Sequence, residues 1–130
     1  MPGNKESLYP ADWIEKARRD LRRVKVLLAD DDTEGAGFHL QQGLEKYLKG
    51  YLLSRGWKLE RIHDLVKLLN YAKDYDSSFE QFRALCEKVT DYYVLDRYPL
   101  FGRMLPTKEE LEVALAKAQQ LASKIDVEIK

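Results

Sequence analysis

The 130-residue chain has one cysteine, Cys86, and two histidines, His39 and His63. A lone cysteine excludes an internal disulfide, and so few soft ligands leave no Cys/His set for a structural zinc site within one chain. Packing therefore has to hold the fold. Long apolar runs are missing too: no stretch approaches the roughly 20 residues needed to cross a bilayer. The opening "MPGNKESLYP" has no apolar core of a signal peptide, so a cytoplasmic protein with no membrane association is expected. Net charge is absent as well. The 22 basic and 22 acidic residues cancel, which argues against coating nucleic acid through overall charge and leaves only local patches. There is no phosphate-cradling Gly-rich loop, no HExxH and no GxSxG. The usual signals of Rossmann cofactor binding, metal catalysis and serine hydrolysis are thus missing, and neither a cofactor nor a metal is expected.

What is present is helical. With 45% hydrophobic and 34% charged residues, the chain is too apolar for disorder, and its length suits one domain with a real core. Ile14, Ala17, Leu21, Val24 and Leu28 recur at three- and four-residue spacing and predict a helix from Ala11 to Ala29. From Trp13 to Lys25 that helix carries six basic residues against Glu15 and Asp20, which reads as a solvated face or as a local basic patch. "DDDTEGAG" interrupts the period with acids and glycines.

A second helix is predicted from Gly37 to Ser54, stopped by Gly56 in a left-handed position. "IHDLVKLLNYA" gives a short third helix with Asp64 as its first-turn acid. Phe79, Phe82, Leu85, Cys86, Val89, Tyr92, Tyr93 and Leu95 give a fourth helix, ended by Pro99. Thr107 with Glu110 forms a capping box before a last helix through Ile125. Connections mostly under ten residues favour antiparallel neighbours. The expected fold is all-α, an up-and-down bundle of four long helices plus one short one.

Three places concentrate polar residues that could carry chemistry. In "HLQQGLEKYLKGYLL", Gln42, Glu45 and Lys49 fall at i, i+3 and i+7, within roughly 60° of one another on a helix. Leu48 and Leu52 border that stripe, so it sits at the edge of the buried face. As a surface feature it is a Glu45–Lys49 pair worth a few tenths of a kcal/mol. The second place is "IHDL", where His63 either satisfies a backbone group or moves protons near neutral pH. The third is "YYVLDRYP", where Arg97 either complements a helix C-terminus or grips a phosphate through two hydrogen bonds. Tyr93 or Tyr98 could stack on a base.

Taken in order, "ARRDL", "FHLQQGLEKYLKGYLLSRG", "HDLVKLL" and "DYYVLDRYP" resemble the HEPN domain family (higher eukaryotes and prokaryotes nucleotide-binding), in the subgroup paired with minimal nucleotidyltransferases. The resemblance covers nearly the whole chain. It implies an up-and-down helical bundle, often a homodimer, working with a small nucleotidyltransferase in a two-component, frequently toxin-antitoxin, system. By the family pattern, Gln42, Glu45, Lys49, His63, Asp64, Tyr93, Arg97 and Tyr98 match its recurrent polar and aromatic positions.

Many HEPN proteins are metal-independent ribonucleases marked by an Arg, four to six residues, and a His. Here that window after Arg97 ends on Gly102, Arg103 or Met104, and His63 lies one residue too far from Arg55. Three readings follow. The first is a module that binds nucleotide or RNA through this cluster. The second is a ribonuclease with His63 as general acid/base and Arg97 stabilising the phosphorane charge. The third is a scaffold whose polar stripe fixes helix register.

Overall fold

The computed structural model describes residues 6–94 and 105–129. It is an all-α, up-and-down bundle, and among the described residues there is no strand. Helix α1 spans Pro10–Ala29, and the ring of Pro10 occupies the first turn, where a missing N–H costs nothing. Asp30 and Asp31 then turn the chain, Asp31 in the left-handed region at φ 59°. An aspartate tolerates this conformation better than most side chains.

Helix α2, Thr33–Ser54, starts four residues before the predicted Gly37. The cause is Asp32, whose carboxylate accepts the Gly35 N–H at 2.8 Å and caps a first turn that contains glycines. At the other end Gly56 takes φ 91°, the left-handed stop read from the sequence. Helix α3 covers Leu65–Tyr75. Asp64 is its N-cap rather than a first-turn residue, and its Oδ1 accepts the N–H groups of Val66 and Lys67. Ile62 and His63 thus belong to the preceding loop.

The predicted fourth long helix is composite. A 3-10 segment, Ser77–Phe82, leads into helix α4, Arg83–Val89, and a second 3-10 segment, Thr90–Val94, follows. Asp76 caps the first segment by accepting the Ser78 N–H. Three residues per turn bring Phe79 and Phe82 onto one edge, and both are fully buried. Leu95 and Pro99 lie outside the described residues. Helix α5, Lys108–Glu128, opens with the expected capping box: Thr107 Oγ1 accepts the Glu110 N–H, and the Glu110 carboxylate accepts the Thr107 N–H.

Every helix contributes to one apolar cluster that runs from Ile14 to Ile125 in sequence. Helix α1 lies along α2 and touches α5 only lightly. The close α1–α2 approach depends on Gly43 and Gly50. A Cβ at Gly50 would stand 2.6 Å from Ile14 Cδ1 and 3.3 Å from the Pro10 carbonyl oxygen. Among the described residues no helix is long and apolar enough to cross a membrane.

Candidate functional site: a buried acid behind an exposed histidine

Helix α2 buries polar groups that its sequence could have left in water. Gln41, Glu45 and Lys49 follow one another at i, i+4 and i+8, and none is more than 4% exposed. Taking an acid and an amine out of water is costly unless each finds partners. Here each does. Lys49 Nζ donates to Glu45 Oε2 at 2.9 Å and faces the Trp13 ring of α1, 5.4 Å from its centroid. Gln41 Nε2 donates to Glu45 Oε1 at 3.0 Å and to the His63 carbonyl at 3.1 Å, tying the loop before α3 to α2. The Glu45–Lys49 pair is therefore not the surface pair that local spacing allowed.

The same Glu45 Oε1 lies 3.0 Å from His63 Nδ1. A carboxylate accepts, so Nδ1 donates and Nε2 is the nitrogen left facing outward. The His63 side chain is 57% exposed. Tyr93, from the second 3-10 segment, stacks on it with ring centroids 5.5 Å apart and an interplanar angle of 22°. An aromatic pair beside an outward imidazole nitrogen can stack a base, and it can take or give a proton.

The structure thus brings Glu45, Lys49, His63 and Tyr93 together. Gln42 sits at the edge, half-buried, with its amide donated to Gln41 Oε1 at 2.8 Å. Asp64 stands next to His63 in the chain, but its carboxylate is committed to the start of α3 and to Thr90 Oγ1 at 3.5 Å. Arg97 and Tyr98 lie outside the described residues.

Two features escaped the sequence reading. Gln41, not Gln42, supplies the central amide; both fit a helical stripe through Glu45, and only the position of the His63 loop decides between them. The other feature is Asp20, 2% exposed on α1. Its Oδ1 lies 2.7 Å from His39 Nδ1, its Oδ2 accepts Lys46 Nζ at 2.7 Å, and Arg23 approaches at 3.5 Å. The run from Trp13 to Lys25 is therefore not simply a solvated face, since one of its two acids holds α1 to α2. Among the described residues, no three His, Cys, Asp or Glu side chains are grouped as a metal ion would need.

Among the described residues, an acid-backed histidine thus stands on an up-and-down bundle of five α-helices. The chain belongs to the HEPN domain family, which matches residues 10–128. It is 26% identical over 126 residues to "Putative toxin MJ1304" of Methanocaldococcus jannaschii, covering 87% of this chain and 83% of that protein. Among solved structures, TT1696 from Thermus thermophilus superposes with a TM-score of 0.75 at 31% identity, over 90% of this chain and 95% of the other. ST0689, described as an archaeal HEPN homologue, superposes at 0.74 with 24% identity, over 94% and 98%. This last likeness speaks to the fold alone.

Proposed function

We propose that the protein is a single-domain, toxin-like HEPN protein that binds nucleotide or RNA at the His63 cluster. In this reading it acts as a homodimer together with a minimal nucleotidyltransferase partner. The observation that carries the binding reading is the Glu45–His63–Tyr93 arrangement, in which a buried carboxylate fixes an exposed imidazole stacked on a tyrosine. The toxin-like role rests on the name of the Methanocaldococcus jannaschii relative. The partner, the homodimer and the ligand-binding roles of Gln42, Asp64 and Tyr98 rest on the family pattern. The buried Glu45 and Lys49 act in this reading from behind His63.

The test is titration of mononucleotides and short single-stranded RNA at low salt, followed by intrinsic tryptophan fluorescence. Loss of a stacked aromatic is worth about 1–3 kcal/mol per base, so Tyr93→Ala and His63→Ala should each weaken binding about fivefold or more. Equal binding by wild type and both variants would remove the proposal, and no binding by wild type would leave the scaffold reading.

A second reading, metal-independent RNA cleavage, is favoured by the carboxylate on Nδ1, which presents Nε2 as an acid/base. In it His63 moves the proton and Arg97 stabilises charge at phosphorus. Cleavage of single-stranded RNA in excess EDTA, abolished in His63→Ala and in Arg97→Ala, is the expected result. Cleavage that persists in both variants would assign the activity elsewhere.

A further inference from the structure

Away from the His63 cluster, the light contact between α1 and α5 leaves a groove between them. Two adjoining depressions of about 290 and 350 Å3 make it up, and both are lined by Lys25 and Gln119. On α1, Arg18, Arg22 and Lys25 fall at i, i+4 and i+7, so one wall of the groove is a line of cations spanning about 10 Å along the axis. Arg18 is held by Asp126 at 3.0 Å, and that aspartate also accepts the Tyr47 hydroxyl at 3.4 Å. Arg22 and Lys25 are exposed and make no hydrogen bond, ion pair or ring contact with any described residue. The facing wall offers the Gln119 amide, the Ser123 hydroxyl and the Lys108 ammonium, together with the carboxylates of Glu112 and of the Arg18-bound Asp126.

We propose that this groove binds the phosphate backbone of a single-stranded RNA, with Arg22 and Lys25 as its principal contacts. The proposal rests on the RNA reading of the preceding subsection and makes its ligand a polynucleotide rather than a mononucleotide. Three observations favour phosphate. Guanidinium and ammonium groups are donors only, and the guanidinium fork matches phosphate oxygens. The larger apolar side chains of the floor are covered, Leu21, Leu28 and Leu115 being each 8% exposed or less, and the exposed apolar groups that remain, Ala29 and Ala116, are too small to anchor a peptide. Finally, the aromatic ring in the groove, Tyr47, is buried and its hydroxyl is committed to Asp126, so a strand would be held by its backbone and not by its bases.

The experiment compares wild type, Arg22→Gln/Lys25→Gln and Arg22→Glu/Lys25→Glu in three titrations: a mononucleotide, a 20-residue oligouridylate, and poly-glutamate of matched charge. Circular dichroism verifies that the variants fold, as expected for exposed side chains. Each phosphate contact on a single strand contributes about 0.7 to the slope of log K against log salt. Neutralising both residues should therefore lower that slope by about 1.4 and weaken oligouridylate binding at least tenfold, with charge reversal weakening it more. Mononucleotide binding should not change.

An unchanged oligouridylate affinity and salt slope in both variants overturns the groove while leaving the His63 reading in place. Poly-glutamate binding as tightly as oligouridylate, with the same sensitivity to the variants, overturns the phosphate assignment in favour of an acidic protein segment. If wild type binds neither mononucleotide nor oligouridylate, the His63 reading and the occupant named here fall together.

Discussion

At the scale of single residues, Glu45 has the most to lose. It satisfies Lys49, Gln41 and His63 at once while only 4% exposed. Removing one partner of a buried ion pair typically costs about 3–5 kcal/mol because the other charge stays buried and unpaired. Glu45→Ala should therefore lower the denaturation midpoint far more than His63→Ala, whose side chain is mostly in water. Lys49→Met should cost less than Glu45→Ala, since Glu45 keeps Gln41 and His63, and the double variant Glu45→Gln, Lys49→Met should recover part of the loss. Urea unfolding of the four variants checks this; equal losses in Glu45→Ala and His63→Ala would show that the acid does not hold the pair. Local spacing reached the acid and the lysine of this cluster, and residue type reached the histidine. Spacing could not choose Gln41 over Gln42 or reach Asp20, because the deciding partners His63, His39 and Lys46 lie 19 to 26 residues away in sequence. Asp20 looked like part of a charge run until α2 covered it.

At the scale of elements, two joints can be tested. Gly50 lets α1 and α2 meet, and a methyl there must displace Ile14 and press on the Pro10 carbonyl. Overpacking of this kind costs about 1–3 kcal/mol, against a gain of up to about 1 kcal/mol from replacing glycine inside a helix. Gly50→Ala should thus lower the melting temperature; a rise would mean that Ile14 yields freely. The second joint is Asp76, which caps the 3-10 segment and accepts Lys124 Nζ of α5 at 2.8 Å. The Lys124 hydrogen bond, followed by those from Ser78, holds its carboxyl well below the usual carboxylate range. A lowered folded value contributes stability that is present above the unfolded-chain value of about 4 and is lost as pH falls through the folded one. Asp76→Asn keeps a capping oxygen but loses the Lys124 ion pair, so it should cost up to about 1 kcal/mol at neutral pH and should flatten the fall of stability below pH 4. Denaturant titrations from pH 2 to 7 compare the slopes; parallel curves would remove Asp76 from the acid response. Helices α1, α2 and α5 and the Thr107–Glu110 box were legible because a 3.6-residue period and a cap are local. The composite fourth element was not, since Phe79 and Phe82 at i, i+3 fit a 3-10 turn and an α-helix equally well.

At the scale of the whole molecule, the question is whether the apolar cluster from Ile14 to Ile125 opens as one unit. Cys86 reports on it directly, being the sole cysteine of the sequence and completely buried on α4, between the 3-10 segments. Burial pushes its thiol up to about 12, so the thiolate that reacts with disulfide reagents is scarce near neutral pH even before access is considered. Labelling therefore requires an opening that brings water to the centre of the bundle. If the helices form one cooperative core, that opening is global unfolding, and the labelling rate should follow the unfolding free energy across urea concentrations. Destabilising changes at separate places, Glu45→Ala on α2 and Gly50→Ala at the α1–α2 contact, should then speed labelling in proportion to their loss of stability. Rapid reaction of one thiol per chain in native buffer, insensitive to both variants, would instead mean that α4 and its flanking 3-10 segments open on their own. The distinction bears on the site, because Tyr93 stands on the 3-10 segment that leaves α4. A core that opens only as a whole keeps the segment carrying Tyr93 beside His63 as long as the protein is folded, whereas a locally opening α4 would make the stacked pair a transient feature of the native state.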